Sequence, residues 1–246
     1  IAASQVIPIL LASSTEDAVR PFATLIGVLF LSIGMSATGS EVSDLFRGGD
    51  GEVSNVLLLA PAMSKSEDEV CVDLMTVRDI KHENVLSVTF TQTAEDRLEL
   101  WQTHVGDDLP AQAGIVTIGE QTRSASTSRN SPSKTPGPIT IDTVSDPADL
   151  TGLGISLTNY LSEWSQNSNQ TVVCFHSLTP LLQYADLQRV FRFLHVLTGR
   201  IDSSDAIAHY HMDPGAHDEQ TRNTLIQLFD ATIELDADGN RSITHR

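Results

Sequence analysis

From residue 53 onward, short apolar runs alternate with segments whose apolar residues recur every three or four positions. The run VSNVLLLAP at 53–61 has turn residues on both sides, and TVVCFHSL at 171–178 is similarly apolar. A continuous apolar run of this length is typical of a strand that is buried on both faces. Helices between such strands imply a parallel sheet covered on both faces. We therefore predict a three-layer α/β domain over residues 53–236.

The predicted strands and helices follow one another along this domain. Acidic residues follow Lys65 in the first turn of one predicted helix, where the helix dipole favours them. Thr93 and Asp96 form a start like a capping box for the next helix. The helix that is lined by apolar residues between 187 and 197 is predicted to end at Gly199. The strands are predicted at 53–61, 84–90, 113–120, 139–144, 171–178, 206–212 and 231–236.

Two further segments lack a regular apolar period. Residues 121–138 are rich in Ser, Thr, Pro and Asn, and the alternation of strands and helices resumes directly after them. We therefore predict a solvated surface loop there. Its Arg123, Arg129 and Lys134 form the densest basic stretch of the chain. The last residues, 237–246, are predicted to be a tail.

Residues 1–34 differ from the rest of the chain, because the run at 21–40 carries no charge. One interpretation is that the native chain begins at Met35, so that the preceding residues are an over-extended reading frame and 35–52 is a flexible lead-in. A second is a membrane anchor, which needs about 20 apolar residues, and only this interpretation predicts membrane contact. A third is an additional packed helix. The sequence leaves all three open.

The chain is strongly acidic, with 32 Asp and Glu against 15 Lys and Arg and a formal net charge of −17. This balance argues against nucleic-acid binding, which depends on basic side chains at phosphates, and against docking on anionic lipid. Only three of the basic residues are Lys, and Asp outnumbers Glu by 20 to 12. Such a surface stays hydrated in concentrated salt, where charge repulsion is screened. We therefore expect a cytoplasmic protein of a haloarchaeon, with an ordinary acidic mesophilic protein as the alternative.

The two cysteines, Cys71 and Cys174, lie 103 residues apart, each in an apolar stretch. Neither belongs to a CxxC pair or to a Cys/His spacing that is typical of a metal site. We expect both to be buried free thiols in a reducing compartment.

Several stretches resemble, in order, the KaiC/RadA-like branch of the RecA superfamily, and haloarchaeal proteins of this shape most closely. They are VLLLAP, NVLSVTF, DTVSDPADLTGLGISL, VVCFHSLTPLL, AHYHMDPGAHDE and LFDATIEL. The resemblance covers residues 53–236. It implies a RecA-like, P-loop-type αβα domain with a mostly parallel central sheet. Fold resemblance does not by itself imply activity, which depends on the individual motifs.

The phosphate-binding loop that the resemblance implies is degenerate here. The stretch LAPAMSKS keeps Lys65 and Ser66 at the places of the P-loop Lys and hydroxyl residue. Leu59 and Ser64 replace the two glycines, whose absence would crowd bound phosphates. Because the glycines are replaced, we expect no cofactor. Because Lys65 and Ser66 are kept, ATP with Mg²⁺ remains an alternative ligand.

The catalytic acids that the resemblance implies are also replaced. Thr91 and Gln92 follow the VTF strand, and neither can act as the general base. His176 stands where an Asp would order Mg²⁺, an ion that prefers oxygen ligands. Phosphoryl transfer depends on such groups. The resemblance therefore implies a pseudo-ATPase, with Lys65, Ser66 and His176 as its remaining candidate nucleotide-binding residues.

The stretch HYHMDPGAHDE is the densest set of candidate metal ligands. His209 and His211 alternate along a predicted strand and thus share a face, and His217 follows closely. Three histidines can hold Zn²⁺. The preferred interpretation is that this stretch is a strand followed by a turn, without a metal.

We expect a non-catalytic, RecA/KaiC-like regulatory or scaffold protein that acts through protein partners or self-association. The alternatives are a nucleotide sensor without hydrolysis and a metal-dependent enzyme that uses the histidines. Nucleotide binding separates the first two functions, and metal content identifies the third.

Overall fold

A computed structural model describes residues 45–46, 53–61, 64–119 and 139–246 of the 246-residue chain. The expectations for residues 1–34, for nearly all of the lead-in and for the loop at 121–138 lie outside the described residues. Among the residues that are described, no helix is both long enough and apolar enough to span a membrane.

Eight strands and six α-helices lie within the described residues. The strands are β1 (Asn55–Leu59), β2 (Glu83–Thr89), β3 (Gln112–Ile118), β4 (Ile139–Val144), β5 (Gln170–His176), β6 (Ile207–Met212), β7 (Ala231–Leu235) and β8 (Arg241–His245). The helices are α1 (Lys65–Met75), α2 (Ala94–Val105), α3 (Leu150–Trp164), α4 (Leu178–Tyr184), α5 (Leu187–Ser203) and α6 (Glu219–Ile226). The predicted capping box of Thr93 and Asp96 is confirmed at the start of α2.

All eight strands form one sheet in the order β4-β3-β2-β5-β6-β1-β7-β8. Every neighbouring pair is parallel except β7 and β8, which are antiparallel. Parallel neighbours need crossover connections, which the helices supply. The predicted three-layer αβα fold with a mostly parallel sheet is therefore confirmed.

Alternate residues of the central strands enter different layers of the core. Phe175 and Tyr210 belong to the larger cluster, together with apolar residues of α3, α4 and α5. Cys174 lies between Val173 and Phe175 and faces the opposite layer, where residues of α1 and α2 cover the sheet. Because side chains alternate along a strand, every second residue near the ends of β5 and β6 points toward α1 and α2.

Three predicted boundaries are wrong. The predicted tail contains β8, which extends the sheet and places Ile243 against the core on that side. Helix α5 continues through Gly199 to Ser203, because buried Ile201 outweighs the cost of about 1 kcal/mol for an interior glycine. The strand predicted at 171–178 ends at His176, and α4 begins two residues later.

Candidate functional site

Four sulfur- and nitrogen-bearing side chains meet between the sheet and α1. His209 and His211 share one face of β6, as predicted, and His209 is paired in register with Cys174 of β5. Cys71 reaches the same place from α1. These four residues, which we call the Cys/His cluster, are at most 1% exposed. Their candidate ligand atoms all lie within 4.8 Å of one another.

The sulfur atoms of the Cys/His cluster lie close together without a covalent bond. Sγ of Cys71 is 3.6 Å from Sγ of Cys174 and 3.5 Å from Nε2 of His209. Sγ of Cys174 is 3.7 Å from Nε2 of His211. The expected buried free thiols are thus present. That they face each other and two histidines is a contact the sequence analysis missed.

Glu67, in the first turn of α1, binds the histidines at the strand ends. Nδ1 of His211 donates a hydrogen bond to Oε1 of Glu67 at 2.7 Å, and Nε2 of His176 lies 3.6 Å from the same oxygen. The rings of His176 and His211 are 4.6 Å apart. His176 thus ends β5, which lies beside the strand that carries His209 and His211.

These contacts shift the ionisation of the buried groups. Burial alone raises the pKa of Glu67, but hydrogen bonds with His176 and His211 lower it to about 2. Burial alone lowers the pKa of His211, but negative charge at Cys71 and the contact with Glu67 raise it to about 9. Burial lowers the pKa of both His176 and His209. Glu67 is therefore an ionised acceptor, and its hydrogen bond holds His211 in one orientation.

A buried arginine contacts both cysteines. Nη2 of Arg97 lies 3.3 Å from Sγ of Cys174 and 3.6 Å from Sγ of Cys71. Nη1 of Arg97 donates to Oε1 of Gln92 at 3.2 Å. The contact with Cys174 and the charge of Arg97 lower the pKa of the Cys71 thiol, whereas burial raises the pKa of Cys174. The guanidinium thus favours negative charge on sulfur in this cluster.

The other predicted site residues lie outside the cluster. Lys65 is exposed at the start of α1, and Ser66 packs at the turn that contains Gly239. Nε2 of His217 is 3.1 Å from Oγ1 of Thr179. The structure therefore unites His209 and His211 with two cysteines and places His217 elsewhere.

The Cys/His cluster suits a small ion better than an organic substrate, because its side chains are enclosed. Thiolate and imidazole are the ligands that borderline-soft metal ions prefer. Within the described part of the chain, Nδ1 of His209 is buried without a hydrogen-bond partner. The ring atom of His209 that contacts Cys71 is Nε2, so an ion held by the cluster would leave Nδ1 unpaired.

A second feature lies in the opposite helical layer, where a groove of about 970 Å³ runs along α3 and α5. We call it the α3–α5 groove. Among its lining residues, Ile155 and Val196 are 59% and 72% exposed. The groove is also lined by three arginines, none of which forms an ion pair with a described residue, namely Arg189, Arg192 and Arg200.

The chain is similar to one protein family of unknown function and, in its fold, to a solved structure. Residues 53–235 match the model of a family of unknown function, DUF7504. A solved structure of a protein from Pyrococcus horikoshii OT3 is similar, with a TM-score of 0.52 and 9% identity, over 82% of this chain and 89% of that chain. At this identity the likeness shows the fold alone. No curated protein matches the sequence.

Proposed function

The chain belongs to DUF7504, a family of unknown function, and we propose that it is a non-catalytic RecA/KaiC-like regulatory or scaffold protein that binds a second copy of itself. The observation that carries this proposal is the α3–α5 groove, with its exposed apolar residues and its arginines, which form no ion pair with a described residue. The missing ATPase groups support the non-catalytic part of the proposal.

The positions that the resemblance assigns to catalytic residues are unsuited to phosphoryl transfer here. The side chain of Gln92 is held by Arg97, and an amide cannot accept the proton of an attacking water as a carboxylate does. His176 faces Glu67 at the end of β5. No carboxylate stands at either position that the resemblance assigns to a catalytic acid.

The first turn of α1 is unfavourable for a nucleotide. The resemblance places bound phosphates at this helix start, where free N–H groups attract anions. Here the turn carries the ionised carboxylate of Glu67, whose pKa is lowered to about 2 by its histidine partners despite burial. His211 balances this charge, but the carboxylate occupies the helix start, and the preceding stretch has no glycine that would let phosphates approach the N–H groups closely. This argues for the scaffold function over the alternative of a nucleotide sensor.

The α3–α5 groove fits an acidic partner surface that also carries apolar side chains. Exposed Ile155 and Val196 supply contact area for desolvation, while Arg189, Arg192 and Arg200 supply positive charge. The chain itself has a net charge of −17, so another copy offers the complementary acidic surface. Arginine-lined grooves on both copies would repel each other, which favours a head-to-tail contact over a symmetric one.

Analytical ultracentrifugation of the full chain tests this function. We expect the sedimenting mass to exceed the 26.6 kDa of one chain as concentration rises. Val196→Asp should return the protein to a monomer, because it replaces an exposed apolar residue of the groove with a negative charge. Tyr184→Asp is the matched control, since Tyr184 is 52% exposed but does not line the groove.

Two results would contradict the proposed contact. One is a monomer at every concentration at which circular dichroism shows a folded chain. The other is association that Val196→Asp leaves unchanged. If an added acidic peptide instead bound the monomer in a Val196-dependent way, the groove would serve a different protein partner and self-association would be wrong.

Calorimetry with ATP and Mg²⁺ tests the nucleotide alternative separately. The scaffold function predicts no binding heat in either the wild type or Lys65→Ala. Binding that is present in the wild type and lost in Lys65→Ala would support a sensor. Ser66→Ala is a second variant at the same helix start. If a nucleotide binds there, both Lys65→Ala and Ser66→Ala should reduce the heat of binding.

We also propose that the acidic surface adapts the chain to the salt-rich cytoplasm of a haloarchaeon. The described cysteines are free thiols, as a reducing compartment requires. The net charge of −17 predicts that concentrated KCl stabilises the fold by screening repulsion. Thermal unfolding that is independent of KCl concentration would contradict this adaptation.

A further inference from the structure

We propose that the Cys/His cluster binds one Zn²⁺ ion through Cys71, Cys174, His209 and His211. The ion would be a structural one, because four protein ligands fill a tetrahedral coordination shell and leave no position for substrate. This inference does not depend on the α3–α5 groove or on self-association.

Three of the distances within the cluster match the edges of such a tetrahedron. Bond lengths of about 2.3 Å for Zn–S and about 2.0–2.1 Å for Zn–N imply about 3.8 Å between two sulfurs and about 3.5 Å between sulfur and nitrogen. The two sulfurs lie 3.6 Å apart. Cys71 and His209 are separated by 3.5 Å between sulfur and nitrogen, and Cys174 and His211 by 3.7 Å. The remaining pairs stay within 4.8 Å.

The charges of the ligands suit a divalent ion. Two thiolates neutralise Zn²⁺, and two neutral imidazoles complete the shell without further charge. Burial of a neutral centre avoids the cost of an unpaired ion. The same set of ligands excludes Mg²⁺ and Ca²⁺, which require oxygen donors.

Neighbouring side chains support the ligands in the manner expected of a metal site. Glu67 accepts the Nδ1 hydrogen of His211 and leaves Nε2 directed at Cys174. A carboxylate that orients a ligating histidine in this way is a common outer contact of zinc. Arg97 lies within 3.6 Å of both sulfurs, and its N–H groups can stabilise thiolates. Both supports are already present beside the four ligands.

The positions of the ligands explain what the ion would stabilise. Cys71 is on α1, Cys174 on β5 and the histidines on β6, so one ion would join a helix to two neighbouring strands. The sequence separation between Cys71 and Cys174 is 103 residues. An ion that binds only when these distant segments are brought together stabilises the folded state by its binding free energy.

Elemental analysis of the purified full chain, prepared under reducing conditions with added Zn²⁺ and then desalted, tests the site. We expect about one zinc per chain in the wild type, and at least a tenfold loss in both Cys71→Ser and His209→Gln. His217→Gln is the matched control, because His217 lies on the same segment but contacts Thr179. It should keep the wild-type zinc content.

Cobalt substitution tests the coordination itself and does not require a folded variant. Wild-type protein loaded with Co²⁺ should show intense tetrahedral d–d bands and a sulfur-to-cobalt charge-transfer band. Added Zn²⁺ should displace the Co²⁺ and abolish these bands, with the titration complete at one equivalent of zinc. Since the two cysteines are the only ones in the chain, any charge-transfer band from thiolate reports on this cluster.

Three outcomes would overturn the site. They are a wild-type protein that takes up no stoichiometric zinc, zinc that persists in the Cys71→Ser variant, and weak octahedral cobalt bands without a sulfur contribution. A metal-free wild type would leave the cluster as a hydrogen-bonded network of thiols, histidines and Arg97.

Discussion

Oε1 of Glu67 accepts a hydrogen bond from Nδ1 of His211 at 2.7 Å, which joins the first turn of α1 to the end of β6. Both side chains are enclosed, since that of Glu67 is 11% exposed and that of His211 is 1% exposed. The contact therefore links a helix to the central sheet through polar atoms that are largely shielded from water.

Glu67→Ala should lower the free energy of unfolding by about 1–3 kcal/mol, because it leaves the buried Nδ1 group of His211 without its acceptor. Urea denaturation at neutral pH measures the change. Glu69→Ala is the matched control, since Glu69 lies on the same helix but its side chain is 60% exposed, and its loss should change stability little. Equal effects of the two substitutions would show that the hydrogen bond contributes nothing specific.

A second buried hydrogen bond joins neighbouring strands. The hydroxyl of Tyr210 on β6 donates to Oδ1 of Asn55 on β1 at 3.1 Å. Tyr210→Phe should cost about 1–3 kcal/mol, because the ring still fills its place while the buried Asn55 oxygen loses its donor. Tyr184→Phe, at an exposed tyrosine, should stay within about 0.5 kcal/mol of the wild type. Denaturant midpoints of the two variants that coincide would contradict this account.

The fold could be predicted because its signals are local. Buried parallel strands produce the apolar runs that mark β1, β2 and β5, and the capping box at Thr93 marks the start of α2. Strand β8 was not predicted, because this edge strand is covered on one face only and its sequence RSITH has no continuous apolar run. Helix α4 was not predicted, because its seven residues span only two turns, too few to show a helical repeat of apolar residues.

The Cys/His cluster could be predicted only in part. The alternation of His209 and His211 places them on one face of a strand, and this follows from the sequence. The cysteines could not be added, because their approach depends on β5 lying beside β6 and on α1 covering both strands. No local sequence pattern predicts which strands are neighbours or which strands a helix covers. The one signal for the cluster was that Cys174 and His176, two residues apart on β5, lie on the same face of a strand and are both candidate metal ligands.

The capping box of α2 should make stability depend on pH. Hydrogen bonds from the backbone and side chain of Thr93 lower the pKa of Asp96 below its ordinary value in the folded chain. The ionised carboxylate therefore stabilises the fold above the pKa of the unfolded chain, and this contribution is lost as pH falls through the folded pKa. Asp96→Asn should thus destabilise the protein at neutral pH, and its difference from the wild type should shrink in acid.

Urea unfolding of both proteins from neutral pH into the acid range measures this convergence. Glu95→Gln is the control, because Glu95 lies in the same first turn but outside the capping box. It reports the general effect of removing an acid near a helix start. A difference between Asp96→Asn and the wild type that is constant with pH would assign the effect to packing.

Two glycines should respond in opposite directions to the same substitution. A Cβ at Gly114 of β3 would lie 2.7 Å from Cε1 of Tyr160 and 2.9 Å from Cδ1 of Leu86, so Gly114→Ala should cost about 1–3 kcal/mol through overpacking. A Cβ at Gly199 of α5 would meet nothing within 4 Å. Gly199→Ala should stabilise the protein by about 0.5–1 kcal/mol, because alanine loses less backbone freedom in a helix.

Thermal and urea unfolding of these two alanine variants provide a check on packing in the helical layer that contains α3 and α5. The substitution adds one methyl group in each case, so differences in side-chain chemistry cannot account for opposite signs. Because Gly199 lines the α3–α5 groove, its variant should be studied at a concentration where the wild type is monomeric. Stabilisation by Gly114→Ala would mean that Tyr160 moves freely, and that α3 does not pack against β3 as closely as the distances show.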